Sequence, residues 1–173
     1  MRRLLPLLAA GASAAVLLAG CGGGAKQAAP PPATTIGAPS PAHLLGPGGR
    51  AVYQSAGWGV VVRGAKAAAV RLVAGTWRVE RSSGVKIAIL GPQGPATRTP
   101  QVAVEFRAKS PLVETGLWVD GHELLEKGGG LTPRRATIYG APAKPLKRGK
   151  HVAVAYGRTE TAGRAVAWTF TVA

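Results

Sequence analysis

The sequence predicts an all-β protein, a sandwich of antiparallel sheets, on three observations. Several windows of the 173 residues alternate apolar with polar or small side chains, as strands buried on one face do. Turn residues such as Asp-Gly and Gly-Pro separate these windows at intervals of about 8–12 residues, which is the spacing of sandwich strands. The chain has a single cysteine, so an apolar core rather than disulfides must stabilise the fold.

The first 20 residues have the pattern of an export signal. Arg2 and Arg3 precede an apolar stretch, Leu4 to Gly20, which Pro6 interrupts. A secretory signal combines such a charged start with an apolar run of up to about 15 residues, whereas a membrane-spanning helix needs about 20. We therefore expect a cleaved signal peptide over residues 1–20.

The segment closes with Leu18-Ala19-Gly20-Cys21, which resembles the lipobox of bacterial lipoproteins. The resemblance implies cleavage before Cys21 and a diacylglyceryl group on its sulfur, and two or three acyl chains make membrane attachment effectively permanent. It thus implies a protein held by membrane lipid through acylated Cys21, on the extracytoplasmic face of the cell membrane. An ordinary secretory signal with an incidental cysteine is the alternative.

Residues 21–49 are predicted to be a disordered tether. From Gly22 to Gly49 the chain contains seven glycines, six prolines and no carboxylate, a composition that favours extended, polyproline-like chain. Such a spacer would lift a globular head off the lipid surface. Leu44 and Leu45 are the first residues that could dock on that head.

Residues 50–83 are predicted to add strands to the head. Val60–Val62, Val70–Val73 and Thr76–Val79 are rich in β-branched residues, which favours three strands of a meander. The alternative is a short helix over Ala65–Ala74, because alanine has the highest helix propensity.

Residues 84–173 contain the clearest strand patterns. Apolar side chains recur at every second position in windows centred on Ile87, Val104, Val154 and Trp168, and Trp168 is in phase with the predicted core. Asp120-Gly121 predicts a tight hairpin turn, since both of its central residues need positive φ angles.

Several motifs of this segment together resemble a bacterial immunoglobulin-like domain. They are Val85-Lys86-Ile87 before Gly91-Pro92, Val102 to Phe106, Val119-Asp120-Gly121, Pro145-Leu146 before Gly149 to Val154, and Trp168 to Val172. The resemblance implies an immunoglobulin-like antiparallel β-sandwich over residues 84–173, preceded by the extra strands. It also implies a non-catalytic spacer or adhesion module. The last loop, Thr159 to Arg164, lacks the Asp or Asn turn that members often have, which makes a cation site there doubtful.

The head is strongly basic. Of the 22 Lys and Arg residues only Arg2, Arg3 and Lys26 precede residue 50, whereas all 7 acidic residues follow it. Such an excess attracts anions over about a Debye length, ~8 Å at physiological salt. The candidate anions are lipid headgroups and anionic wall polymers, and the expected partners are an anionic envelope polymer or another envelope protein. Nucleic acid is not expected, because an exported chain does not meet it. A merely soluble surface is the alternative.

The candidate ligand contacts combine one aromatic residue with a basic group. Trp118 is out of phase with its apolar neighbours beside the Asp-Gly turn, so an exposed ring could anchor a ligand; packing under an added strand is the alternative. The full set is Trp118, Arg134, Arg135, Lys147, Arg148 and Lys150. The basic members could instead form an ordinary solvated loop.

No catalytic, metal-binding or cofactor-binding residue is predicted. The chain lacks a nucleophile elbow, a phosphate loop and an H-E-x-x-H motif, and His43, His122 and His151 have no ligand spacing. His151 is interpreted as a strand-edge residue that caps a turn. The sequence therefore predicts a non-enzymatic, lipid-anchored interaction module, with a structural envelope spacer or an extracytoplasmic metal-binding protein as alternatives.

Overall fold

The computed structural model describes residues 40–173 as strands and turns, with one short 3-10 helix, Pro41–Leu45. The predicted signal peptide, Cys21 and the first part of the predicted tether lie outside the described residues. The strands are β1 Arg50–Ser55, β2 Trp58–Arg63, β3 Lys66–Val73, β4 Thr76–Val79, β5 Val85–Gly91, β6 Pro95–Ala96, β7 Val102–Ala108, β8 Glu114–Val119, β9 His122–Glu123, β10 Lys127–Thr132, β11 Arg135–Gly140, β12 Gly149–Arg158 and β13 Gly163–Val172. Over residues 40–173, no helix has the length and apolarity that a membrane span requires.

These strands form three sheets. The N-terminal sheet is the meander β1-β2-β3-β4, the central sheet has the order β6-β13-β12-β8-β9, and the outer sheet has the order β10-β11-β7-β5. Neighbouring strands are antiparallel except β6 and β13, which are parallel. The outer and central sheets reproduce the two sheets of an immunoglobulin-like sandwich, in which the first two long strands share one sheet and the last two pair in the other. The fold prediction is confirmed.

The sandwich core lies between the outer and central sheets. Alternate residues of β7 and β13, among them Phe106 and Phe170, are buried in it, as the period-two pattern predicted. Trp168 belongs to the same core and donates its indole N–H to the Pro92 carbonyl at 2.7 Å. This bond satisfies a polar atom that burial would otherwise leave without a partner.

A second core lies on the other face of the central sheet. Val60 and Val62 of the N-terminal sheet pack there against Trp118, Val154 and Tyr156. The central sheet is therefore covered on both faces, and the described chain has three β layers. Aromatic contacts strengthen this interface, because the Tyr53 ring lies 5.7 Å from the rings of both Trp118 and Tyr156.

The prediction of strands before residue 84 is confirmed, and the helix alternative is wrong. Ala67 and Ala69 of β3 face the central sheet, where small side chains let the two sheets approach closely. Three strands were not predicted. β6 contains only Pro95 and Ala96 and is too short for an alternating pattern. β1 lacks a clear alternation of apolar and polar residues, and the three glycines in β10 carry no side-chain pattern at all.

The predicted tether extends too far along the chain. Leu44 and Leu45 in the 3-10 helix pack on Val61, Val70 and Trp77, on the outer face of the N-terminal sheet. Apolar packing therefore already includes Leu44 and Leu45 of the predicted tether, and the compact unit that contains the described residues is Gly37–Ala173. This unit contains all three sheets and their cores, so it holds every packing contact described above.

Candidate functional site

The candidate site is built at the end of the molecule where β8 turns into β9. Asp120 and Gly121 form the turn with φ angles of +52° and +86°, as a two-residue hairpin loop requires. Asp120 tolerates this conformation better than most residues, and glycine adopts it without steric cost. The predicted hairpin is confirmed, and its turn directs the Asp120 carboxylate toward the start of β12.

Asp120 is bound to β12 through backbone and side chain. Its backbone N–H donates to the Val152 carbonyl at 2.9 Å, and its Oδ1 accepts from the Val152 N–H at 3.0 Å. Its Oδ2 lies 2.7 Å from Nδ1 of His151. The carboxylate therefore joins the turn to the neighbouring strand.

His151 extends this connection to the loop between β11 and β12. Its Nε2 lies 2.7 Å from the Lys147 carbonyl oxygen, while the ring stacks on Phe170 with 5.6 Å between centroids. A backbone carbonyl and a carboxylate both accept hydrogen bonds, so the geometry requires a ring that donates from both nitrogens, the imidazolium form. The bond to Asp120 is the main cause that raises the pKa of His151, with burial acting in the opposite direction.

A cleft of about 600 Å³ lies between the β8–β9 turn and this loop, a volume typical of small-ligand sites. Its walls are mainly apolar, with a few charged side chains at the rim. The lining residues include Val119, Leu124, Pro142, Pro145 and Leu146 as apolar members, and Asp120, Glu123, Lys144, Lys147 and His151 as polar ones. The cleft can therefore hold an apolar group while the rim contacts a charged one.

The structure places Trp118 inside the molecule. Only 3 % of its surface is accessible, because the N-terminal sheet covers the face of β8 on which it lies. Trp118 therefore packs under the added strands, and its ring is not presented on the described surface.

The predicted basic contacts divide between the two ends of the molecule. Lys147, Arg148 and Lys150 are exposed beside the cleft, whereas Arg134 and Arg135 lie at the opposite end of β11. That six-residue strand separates the two sets by roughly 17 Å at about 3.3 Å per residue. The basic candidate contacts therefore do not form one group, and their role in binding stays a prediction.

The pairing of Asp120 with His151 was not predicted. The two residues are 31 positions apart, and no local pattern signals that the hairpin turn meets the first residues of β12. In residues 40–173 no group of three or more His, Cys, Asp or Glu side chains is placed to hold a metal ion.

The described chain is an immunoglobulin-like β-sandwich with an additional N-terminal sheet and, at one end, a mainly apolar cleft beside a basic loop. Similar solved structures include titin M4 in its trigonal form, with 14 % identity and a TM-score of 0.35, where the match covers 52 % of this chain and 96 % of that one. A chain of the complex between titin M10 and the obscurin-like 1 Ig domain matches with 16 % identity, a TM-score of 0.34 and the same coverage. No family model matches the sequence, and neither does any curated protein.

Proposed function

We propose that this protein is a non-enzymatic interaction module, anchored by lipid at Cys21 on the extracytoplasmic face of the cell membrane. The motif Leu18-Ala19-Gly20-Cys21 and the signal pattern before it support the anchor. An immunoglobulin-like head suits the interaction role, since such sandwiches carry their binding loops at the ends.

The observation that carries the interaction role is the cleft beside the basic loop. Lys144, Lys147, Arg148 and Lys150 are exposed there, and none of them forms a salt bridge within residues 40–173. His151 binds the Lys147 carbonyl and so holds the loop that carries these cations. The cations therefore lie on an ordered loop at the edge of the cleft. Ordered charges around an apolar cleft suit an anionic partner, either an envelope polymer or an acidic envelope protein.

A purely structural spacer is the second candidate, and one observation favours it. All four tryptophans are at most 7 % exposed, so the described surface offers no indole ring on which a sugar or a partner side chain could stack. On this proposal the three-layer head would hold an envelope complex at a set distance from the membrane.

Fractionation and mass spectrometry test the proposed lipid anchor. In cells that produce the full chain, we expect the wild type in the membrane fraction with a mass that includes acyl groups on Cys21. The Cys21→Ser variant should be absent from the membrane fraction and should lack the added mass of the acyl groups. An unmodified Cys21 in the native protein would contradict the proposed lipid anchor.

The binding role is tested on envelope fractions with the unit Gly37–Ala173. Replacing Lys144, Lys147, Arg148 and Lys150 by Gln should abolish retention of an envelope component at physiological salt. The matched control replaces four exposed cations elsewhere: Lys86, Lys109, Arg81 and Arg164. Equal retention of all three proteins would contradict a role of the basic loop, and retention by none of them would favour the spacer.

A further inference from the structure

The positive charge beside the cleft continues onto a second layer of the molecule. We define the basic end as the eight exposed cations Arg50, Arg63, Lys66, Arg98, Lys144, Lys147, Arg148 and Lys150. The first three belong to the N-terminal sheet and the others to the sandwich. The surface is therefore broader than the loop from which the interaction role was argued.

Contacts place these cations at one end. The Arg50 guanidinium lies against Gly121 in the β8–β9 turn, and Arg50 pairs with Val62, next to Arg63. Arg63 in turn pairs with Lys66 across the β2–β3 turn. On the sandwich side, Arg98 donates from Nε to the Leu146 carbonyl at 3.0 Å.

The two ends differ in how their charges are paired. Within residues 40–173 none of the eight cations forms a salt bridge. Two carboxylates line the cleft beside them: Asp120 is held by His151, and Glu123 is exposed. At the opposite end Glu105 binds both Arg107 and Arg135, at 2.5 and 2.6 Å, and three further exposed cations, Lys109, Arg134 and Arg164, form no described salt bridge. The basic end therefore keeps its positive charge available for an external anion.

The distribution of the exposed cations over two layers favours a flat partner. A polymer strand or an acidic peptide bound along the cleft would contact the loop, and it would not need Arg50 or Lys66 on the other layer. A flat anionic surface contacts cations of both layers at once. The chain also enters the sheets at this end, since Gly46–Gly49 leads from the 3-10 helix into Arg50.

We propose that the basic end docks on the anionic phospholipid headgroups of the membrane that holds the anchor, so that the head stands end-on. This inference rests on the proposed lipid anchor. Each Lys or Arg near an anionic surface strengthens membrane binding, but only within about a Debye length. The ten-residue strand β12 sets the other end about 30 Å away, where the headgroup charge is screened.

The test measures binding of the unit Gly37–Ala173 to vesicles. We compare vesicles of phosphatidylglycerol and phosphatidylcholine in equal parts with vesicles of phosphatidylcholine alone. Arg50→Gln with Lys66→Gln should weaken binding to the anionic vesicles about tenfold or more. The matched control, Lys109→Gln with Arg164→Gln, removes the same charge from the opposite end and should change binding less than twofold. Neither pair includes a side chain with a described hydrogen bond, and thermal unfolding checks that all variants are folded.

The outcomes separate this inference from the proposed function. Salt-sensitive binding to anionic vesicles alone, weakened selectively by the first pair, supports end-on docking. Equal weakening by both pairs overturns it, because the attraction would then depend on net charge and not on one end. Absence of vesicle binding also overturns it. If the same protein then binds soluble polyphosphate, or retains an envelope component through the basic loop, the interaction role stands and the partner is not the lipid surface.

Discussion

At the scale of single residues, the surroundings of His151 explain the protonation state of its ring. Its two ring nitrogens face acceptors, Asp120 and the Lys147 carbonyl, and only the protonated ring can donate to both. The bond to Asp120 is the main cause of its raised pKa in the folded protein. Protonation therefore links the β8–β9 turn to the loop that carries the basic residues.

The sign of the resulting pH dependence follows from linkage. A histidine whose pKa is raised on folding contributes stability that is complete below its unfolded pKa of about 6.5, and that is lost as pH rises through the folded pKa. We expect the free energy of unfolding of the wild type to fall by about 1 kcal/mol over that window. His151→Gln should show a smaller fall.

Urea unfolding between pH 5 and pH 9 measures this dependence, and His122→Gln is the control. His122 is exposed on β9 and makes no described hydrogen bond, so its replacement should leave the fall in place. If the stability of the wild type rises over the same pH window, a protonated His151 that donates to both Asp120 and the Lys147 carbonyl is contradicted.

At the scale of elements, the central sheet is unusual for an antiparallel sheet because both of its faces are buried. β12 is buried from Ala153 to Gly157 without a break, a pattern more typical of strands covered by helices on two sides. Two-sided burial makes this strand sensitive to any added volume. Gly157 is the clearest position, because a Cβ there would lie 2.5 Å from the Phe106 ring.

Gly157→Ala should therefore lower the free energy of unfolding by about 1–3 kcal/mol, since the core must shift to accept the methyl group. Gly94→Ala is the matched control: a Cβ at Gly94 meets no atom within 4 Å, and we expect a change within about 0.5 kcal/mol. Urea unfolding of the two variants checks the comparison. Equal stability of the two variants would mean that Gly157 does not lie as close to the Phe106 ring as the structure places it.

At the scale of the whole molecule, the N-terminal sheet is part of the fold rather than an attached module. It covers Trp118, Val154 and Tyr156 on the central sheet, and Arg71 and Arg158 both lie over the Trp58 ring, at 5.1 and 5.8 Å from its centroid. Burial of three large side chains at about 1.5–3 kcal/mol each is comparable with the whole stability of a domain, about 5–15 kcal/mol.

We therefore expect the immunoglobulin-like segment not to fold stably alone. A fragment of residues 84–173 should lose most of its free energy of unfolding and aggregate through its uncovered face. The unit Gly37–Ala173 should unfold in one cooperative transition. Circular dichroism and urea unfolding distinguish the two fragments, and a fragment 84–173 as stable as the longer one would contradict a shared core.

Local sequence patterns are sufficient to predict the local structure and the class of fold. Alternation around Val104 and Trp168 places strands there whatever surrounds them, because side chains on a strand point alternately to its two faces, and Asp120-Gly121 defines a turn by backbone sterics alone. The membrane address likewise depends only on the residues up to Cys21 and stays a prediction.

The alternation of apolar and polar residues does not show which faces of the strands another sheet covers. Trp118 is buried because another sheet lies over it, Asp120 meets His151 across 31 residues, and the basic residues divide between two ends because β11 separates them. These outcomes depend on how distant segments pack, and the tertiary structure alone decides that packing.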